Sequence, residues 1–223
     1  MNPAVAVLCG GLATRLGELA GGLPKSMIPV RGKPYLELVL TSFAERGFTE
    51  FVLLTGYRGE VIEEHFADGS RFEISIRYSR ESRPSGTGGA VRDARGLLGE
   101  RFVLTYGDVF RRFDYDRFVR KHSGNCLAVY ERLTAGNSDV ADGRVLRFDK
   151  NDPELGWVDA GFAVLETRVI ELLPAEGTCS FEEIVYPELA RQRSLECEIV
   201  DHEFFDIGTP DQLSRTRAAL EGR

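Results

Sequence analysis

Leu8-Cys9-Gly10-Gly11-Leu12-Ala13-Thr14-Arg15-Leu16, with Leu23-Pro24-Lys25 following it, is the stretch that decides how this chain reads. The apolar run before it has the character of a buried strand, and it ends on a glycine pair. Without a Cβ in the way, backbone N–H groups can come close to an anion there. Arg15 can fork two phosphate oxygens at once, and Lys25 supplies a compact point charge. The reading is a triphosphate cradle: Leu8, Gly10, Gly11 and Thr14 are the candidate nucleotide contacts, and Arg15 and Lys25 the candidate catalytic cations. Neither of the two common phosphate loops is present, because Lys25 follows a proline and no third glycine completes G-x-G-x-x-G. Glycine turns after strands are common, so the glycines alone would equally describe a plain turn beside two solvated cations.

The rest of the chain predicts one domain spanning residues 1–223. At 223 residues and 43% apolar composition it can bury one sizeable core. A formal charge of -7, from 35 acidic against 28 basic residues, argues against a nucleic-acid partner. Cys9, Cys126, Cys179 and Cys197 are scattered singly without C-x-x-C pairing and read as buried, reduced thiols. With no basic leader and no apolar run near the ~20 residues of a membrane span, the expectation is no membrane and a cytoplasmic location.

Apolar strand-like runs alternate with amphipathic helices, which predicts an α/β fold with a largely parallel sheet. Strands are expected at 5–8, 51–54, 74–78, 102–105 and 127–130, then at 145–148 and 161–165. Helices are expected over 34–46, with Pro34 in the first helical position and Gly47 as the stop, over 61–66 and over 88–98. Ser180-Phe181-Glu182-Glu183 has the form of a capping box opening another helix, and a last one follows Pro210. No hexapeptide repeat follows, so no C-terminal β-helix is expected.

Three further clusters carry chemistry. Tyr106-Gly107-Asp108 falls directly after a strand, where ligands collect in open α/β sheets, and makes Asp108 a candidate metal ligand. Asp206, in the apolar run Phe204-Phe205-Asp206-Ile207, is the best partner, since burying a lone carboxylate is costly unless a cation or hydrogen bonds compensate. Two such acids suit Mg²⁺, which takes one or two carboxylates and fills its other positions with water and phosphate oxygens. The competing reading is that both aspartates cap turns. Glu81-Ser82-Arg83-Pro84-Ser85-Gly86-Thr87-Gly88-Gly89 opens a helix, and its small residues would let a base or sugar pack on backbone, with Glu81, Gly86, Thr87 and Gly88 as nucleotide contacts. A carboxylate can accept the adjacent N1–H and N2–H donors of guanine together, which makes Glu81 favour that base. His65, His122 and His202 look isolated and receive no role.

These stretches resemble the signatures of sugar-1-phosphate nucleotidyltransferases. G-G-x-G-T-R-L followed by P-K-P is matched with Ala13 in place of a glycine and Ser26 in place of the second proline. N-G-D appears as Tyr106-Gly107-Asp108, D-I-G-T-P as Asp206 to Pro210, and E-x-x-P-L-G-T as the Glu81 loop with Ser85 for leucine. The resemblance implies that Asp149 and Lys150 stand for an E-K pair, and Asp159 and Gly161 for an N-A-G, at the sugar-phosphate pocket. It covers nearly the whole chain and is nearest to the short guanylyltransferases for heptose 1-phosphate and mannose 1-phosphate.

That likeness implies a Rossmann-like, glycosyltransferase-A-like three-layer sandwich with a mixed, mostly parallel central sheet. The activity it implies joins a nucleoside triphosphate, GTP favoured, to a sugar 1-phosphate with Mg²⁺ as cofactor and release of pyrophosphate. A uridylyl- or cytidylyltransferase is the near alternative, and a non-catalytic nucleotide-sugar-binding subunit the alternative from another class. The sequence leaves room for a homo-oligomer.

Overall fold

The computed structural model describes residues 2–131, 136–201 and 203–221. Its strands are β1 (Ala4–Leu8), β2 (Pro29–Val30), β3 (Lys33–Pro34), β4 (Glu50–Thr55), β5 (Ser75–Arg80), β6 (Arg101–Tyr106) and β7 (Val109–Arg112), followed by β8 (Cys126–Glu131), β9 (Ser138–Ala141), β10 (Arg144–Phe148), β11 (Trp157–Glu166), β12 (Glu196–Ile199) and β13 (Glu203–Asp206). The helices are α1 (Tyr35–Ala44), α2 (Gly59–Phe66), α3 (Gly86–Asp93), α4 (Tyr115–Lys121), α5 (Phe181–Arg191) and α6 (Pro210–Glu221). Nine strands form one sheet in the order β5-β4-β1-β6-β11-β8-β12-β10-β9. The first four are parallel, β11 runs against both β6 and β8, and β8 and β12 are parallel again.

Period-two side-chain alternation divides the core between the two faces of this sheet. Val5 and Val7 of β1, Phe51 and Leu53 of β4 and Val103 of β6 pack on one side with α1, α2, α4 and α6. Ala6, Val52, Leu54, Phe102 and Leu104, the alternate residues of those strands, pack on the other with α3 and α5. Strands covered on both faces have no polar side to display, which is why they read as continuous apolar runs. The result is the expected three-layer α/β sandwich with a mixed sheet.

Several boundaries move. Pro34 ends β3 and forms the N-cap of α1 instead of its first helical residue. The helix expected over 88–98 begins at Gly86 and ends at Asp93, with a separate 3-10 turn at Arg95–Leu97. The strand expected over 161–165 extends back to Trp157, so Asp159 lies inside β11, at a break in its register with β8. Among the described residues no helix is long and apolar enough to cross a membrane.

One pairing matters most for the site. Outside the main sheet, β13 runs antiparallel to β7, and Asp206 is the register partner of Val109. A carboxylate near the end of the chain is thereby brought beside the loop that carries Asp108.

Candidate active site

β1 and β6 are neighbours that end together, with Leu8 opposite Tyr106, so the Gly10 loop and the Gly107-Asp108 turn leave the same edge of the sheet. The Gly107 N–H donates to the Leu8 carbonyl at 2.9 Å and the Cys9 N–H to the Leu54 carbonyl at 3.1 Å, which laces the loop to both flanking strands. Gly10 is required by closeness: a Cβ there would sit 3.0 Å from the Gly56 nitrogen. Above this edge opens a cavity of about 540 Å³. Leu8, Gly10, Gly11, Lys25, Glu81, Gly86, Thr87 and Asp108 all border it.

Asp206, Asp149, Lys150, Asp159 and Gly161 are not part of this lining, and three of the residues predicted to contact the nucleotide lie off it as well. Thr14 and Arg15 are exposed on the 3-10 segment Thr14–Ala20, off the cavity lining. Gly88 is buried in α3, where its N–H donates to the Cys179 carbonyl at 2.9 Å and a Cβ would fall 2.6 Å from the Cys179 sulfur. Tight packing against Cys179, and not a nucleotide contact, is what demands glycine at that position.

Of the two candidate catalytic cations, Lys25 converges with the candidate metal ligands Asp108 and Asp206. The Lys25 ammonium pairs with Asp108 Oδ2. Asp206 accepts from the Gly208 N–H through Oδ1 and from Gln212 Nε2 at 3.0 Å through Oδ2. A Cβ on Gly208 would come 2.9 Å from Asp206 Oδ1 and 3.1 Å from Lys25 Nζ, so this glycine marks where the two meet. Burial raises the Asp206 pKa, Lys25 and Arg15 pull it back, and Asp108 raises it further. Burial thus disfavours the charged form of Asp206, and Lys25, Arg15 and the Gly208 N–H only partly compensate.

Glu81 borders the cavity with its carboxylate already half engaged. Oε2 accepts from both the N–H and the hydroxyl of Ser85, at 2.9 Å and 2.7 Å, shaping the turn into α3. Oε1 lies over Gly56, where a Cβ would come within 2.5 Å of it.

At the sugar end the expected Asp149 and Lys150 pair divides. Asp149 closes its own turn, accepting from the Asn151 N–H at 2.9 Å and from Arg147 at 3.4 Å. Lys150 instead reaches Glu182 Oε2 at 3.2 Å. Glu182, only 1% exposed, also accepts from the Tyr106 hydroxyl, from Thr87 Oγ1 at 2.7 Å and from Ser180 Oγ at 2.9 Å. Burial alone would raise its pKa; Lys150, Tyr106 and Thr87 outweigh that and hold it below the ordinary carboxylate range. Asp159 accepts from the Gly161 N–H at 2.6 Å, and burial pushes it up to about 6, with Arg111 and Lys150 opposing and Glu182 reinforcing. Gly161 has φ +63°, and a Cβ there would sit 2.9 Å from the Tyr106 ring and 3.1 Å from Arg111 Nη2.

Sequence reasoning missed Glu182, Tyr106 and Arg111 at this end. Glu182 was visible only as part of a helix start, and indeed Ser180 caps α5 by accepting from the Glu183 N–H at 3.3 Å. The isolation expected of the histidines also fails. His65 lies 3.2 Å from Glu37, His122 stands between Glu196 and Glu198, and His202 is outside the described residues.

The pattern of the family described as nucleotidyl transferase matches residues 4–222. D-glycero-alpha-D-manno-heptose 1-phosphate guanylyltransferase of Campylobacter jejuni is 31% identical over 210 residues, 92% of this chain and 94% of that protein. Mannose-1-phosphate guanylyltransferase of Mycobacterium tuberculosis is 33% identical over 96% of this chain and 63% of its own length. A probable glucose-1-phosphate cytidylyltransferase of Bacillus subtilis is 28% identical over 85% of each. Among solved structures, HddC from Yersinia pseudotuberculosis complexed with GMP-PN superposes with a TM-score of 0.83 at 25% identity, over 99% of this chain and 100% of that one.

Proposed function

This chain belongs to the sugar-1-phosphate nucleotidyltransferase family, and from that premise we propose that it is a guanylyltransferase joining GTP to a heptose or mannose 1-phosphate. The observation that carries the proposal is that Lys25 and Asp108, paired on a cavity that the Gly10-Gly11 loop and Glu81 also border, meet Asp206 beside Gly208. A volume of about 540 Å³ is of the size that holds a small-molecule substrate.

In the proposed reaction a phosphate oxygen of the sugar 1-phosphate attacks the α-phosphorus of the triphosphate in line. The bond to the bridging oxygen breaks, and pyrophosphate carries that electron pair away. Such a transfer depends on positioning and charge neutralisation more than on acid–base groups. Gly10 and Gly11 give backbone access to the phosphates and Lys25 stabilises the charge that develops at the transferred phosphorus; Arg15, exposed off the cavity lining but close enough for its charge to act on Asp206, would have to swing in to hold the outer phosphates. Lys150, fixed by Glu182, and Asp159 with Gly161 would hold the sugar phosphate.

Asp108 and Asp206 suit Mg²⁺, as two hard oxygen donors of which one is incompletely compensated. When bound there, the ion would neutralise charge on the α-phosphate.

The Glu81 geometry supports a second base reading. With Oε2 engaged by Ser85, Oε1 alone suffices for the single N4 amino donor of cytosine, whereas guanine offers two adjacent donors. The deciding experiment is a pyrophosphate-release screen of GTP, CTP, UTP and dTTP against a panel of hexose and heptose 1-phosphates with Mg²⁺. Turnover with GTP and a heptose or mannose 1-phosphate is the expected result. Preference for CTP overturns the base, and tight nucleotide-sugar binding without turnover overturns catalysis.

A further inference from the structure

β8 and β12 run parallel to each other, and through the antiparallel β11 they share the direction of β6. Their starting residues therefore lie at the edge of the sheet opposite the cavity. Cys126 and Glu196 are register partners at that edge, so their side chains leave the same face side by side. His122 follows the last turn of α4 and is held there by its N–H donating to the Phe118 carbonyl at 3.2 Å. The segment between is fixed as well: the Glu196 N–H donates to the Asn125 carbonyl at 2.9 Å, and Asn125 Oδ1 accepts from the Glu166 N–H at 2.9 Å. As a result, one ligand atom each of His122, Cys126 and Glu196 lies within 4.8 Å of the others.

We propose that His122, Cys126 and Glu196 form a zinc site, with Glu198 orienting the histidine. Tetrahedral zinc, at about 2.0–2.3 Å from N, O and S donors, spaces its ligands by roughly 3.5 Å; His122 Nδ1 and Glu196 Oε2 already lie 3.3 Å apart, and all three ligand atoms fall within 4.8 Å. The donor chemistry excludes the hard ions: a thiolate with an imidazole and one carboxylate selects zinc over magnesium or calcium.

A second, independent feature points the same way. The imidazole is pinned through its other nitrogen, with Nε2 2.8 Å from Glu198 Oε2, in the carboxylate–histidine arrangement that orients metal-binding imidazoles. Glu198 is fixed in turn by Arg117 and by Lys121 at 2.8 Å, so those cations neutralise Glu198 and leave the thiolate and Glu196 to balance a divalent ion. The solvent-facing side of Glu196 leaves room for water as fourth ligand. Such an ion would tie the end of α4 to β8 and β12 and take no part in the chemistry at the opposite edge.

The test titrates Co²⁺ into the chelator-stripped full-length chain, in excess Mg²⁺. The expected result is one Co²⁺ per chain with a thiolate-to-cobalt charge-transfer band that Zn²⁺ abolishes. Cys126→Ser should lose the band. Glu198→Gln should keep it but weaken binding by ~10–100-fold. An Asp108→Asn/Asp206→Asn variant should bind as the wild type does. Absence of the band, or unchanged binding by Cys126→Ser, overturns the site and leaves an ion pair between His122 and the two glutamates. Loss of the ion in the double aspartate variant overturns it too, by placing the ion at the cavity. If Cys126→Ser fails to fold, Glu196→Gln decides, because unchanged Co²⁺ affinity there would equally refute the proposal.

Discussion

The residues proposed for the nucleotide and those proposed for the sugar are brought together in different ways. On the proposed nucleotide side most cavity-lining groups follow a strand's carboxyl end, Gly10 and Gly11 after β1, Glu81 after β5 and Asp108 after β6, whereas Lys25 comes from the separate 3-10 turn Lys25–Met27. On the proposed sugar side the organising residue is Glu182, which comes from a helix and holds Tyr106, Thr87 and Lys150, each from a different part of the chain. Parallel strands joined by crossovers deliver their loops to one edge whatever the loops contain, so the first kind of site follows from topology. The second kind exists only because one buried carboxylate has found enough donors to stay ionised.

If the nucleotide side carries the chemistry, the largest losses come from its aspartates. Asp108→Asn should lower turnover at saturating Mg²⁺ by ~10³-fold or more without unfolding the protein, and Asp206→Asn should do the same. The double variant should lose little beyond either single one if both serve one ion, which pyrophosphate-release kinetics would reveal. Independent, multiplying losses would assign the aspartates separate tasks. Lys25→Ala comes next, with turnover down by ~10²–10³ and a smaller change in triphosphate affinity. Normal turnover with poor binding would move Lys25 from the transition state to the ground state.

Glu81→Gln should shift the ratio of GTP to UTP use by roughly 5–150-fold, equivalent to ~1–3 kcal/mol, read from competing-substrate kinetics. Unchanged specificity would confine Glu81 to shaping the Ser85 turn.

On the sugar side the effects should fall on stability and sugar affinity together. Glu182→Gln removes the charged acceptor of four donors and should cost about 1–3 kcal/mol in urea unfolding, with KM for the sugar 1-phosphate rising and KM for the triphosphate nearly constant. Equal effects on both substrates would dissolve the distinction between the two ends.

The smallest effect belongs to Asp159. Its folded pKa of about 6 exceeds the ordinary value, so the native state holds this proton more tightly than the unfolded chain. That contribution is complete below about pH 4 and is lost as pH rises through about 6. Asp159→Asn should therefore gain on the wild type toward neutral pH, by about 1–2 kcal/mol once partial solvent screening is allowed for. A stability difference independent of pH would show that Asp159 stays ionised throughout.

Legibility followed the same division. The strands of the parallel half could be read because β1, β4 and β6 are covered on both faces and spell continuous apolar runs. The apolar strand that carries Asp206 could be read, and it is β13; the four-residue strands β7, β9 and β12 carry too little pattern to be distinguished from loops, and the pairing of β13 with β7, which sets Asp206 beside Asp108, was not legible. Asp149 and Lys150 are adjacent in sequence and serve different neighbours, because consecutive residues in a turn do not face the same way.

The sequence by itself determined the local chemistry: a glycine loop closing a buried strand, two cations near it, and acids at the ends of apolar runs. Those are properties of a residue and its near neighbours, and backbone sterics and side-chain periodicity suffice to read them. The tertiary structure alone decided that Asp108 and Asp206 both lie beside Lys25, that Gly88 packs against Cys179, that Glu182 gathers Tyr106, Thr87 and Lys150, and that His122, Cys126 and Glu196 meet. Each of these depends on strand register and on whether a buried charge finds its partners, and both are settled only when distant segments close on one another.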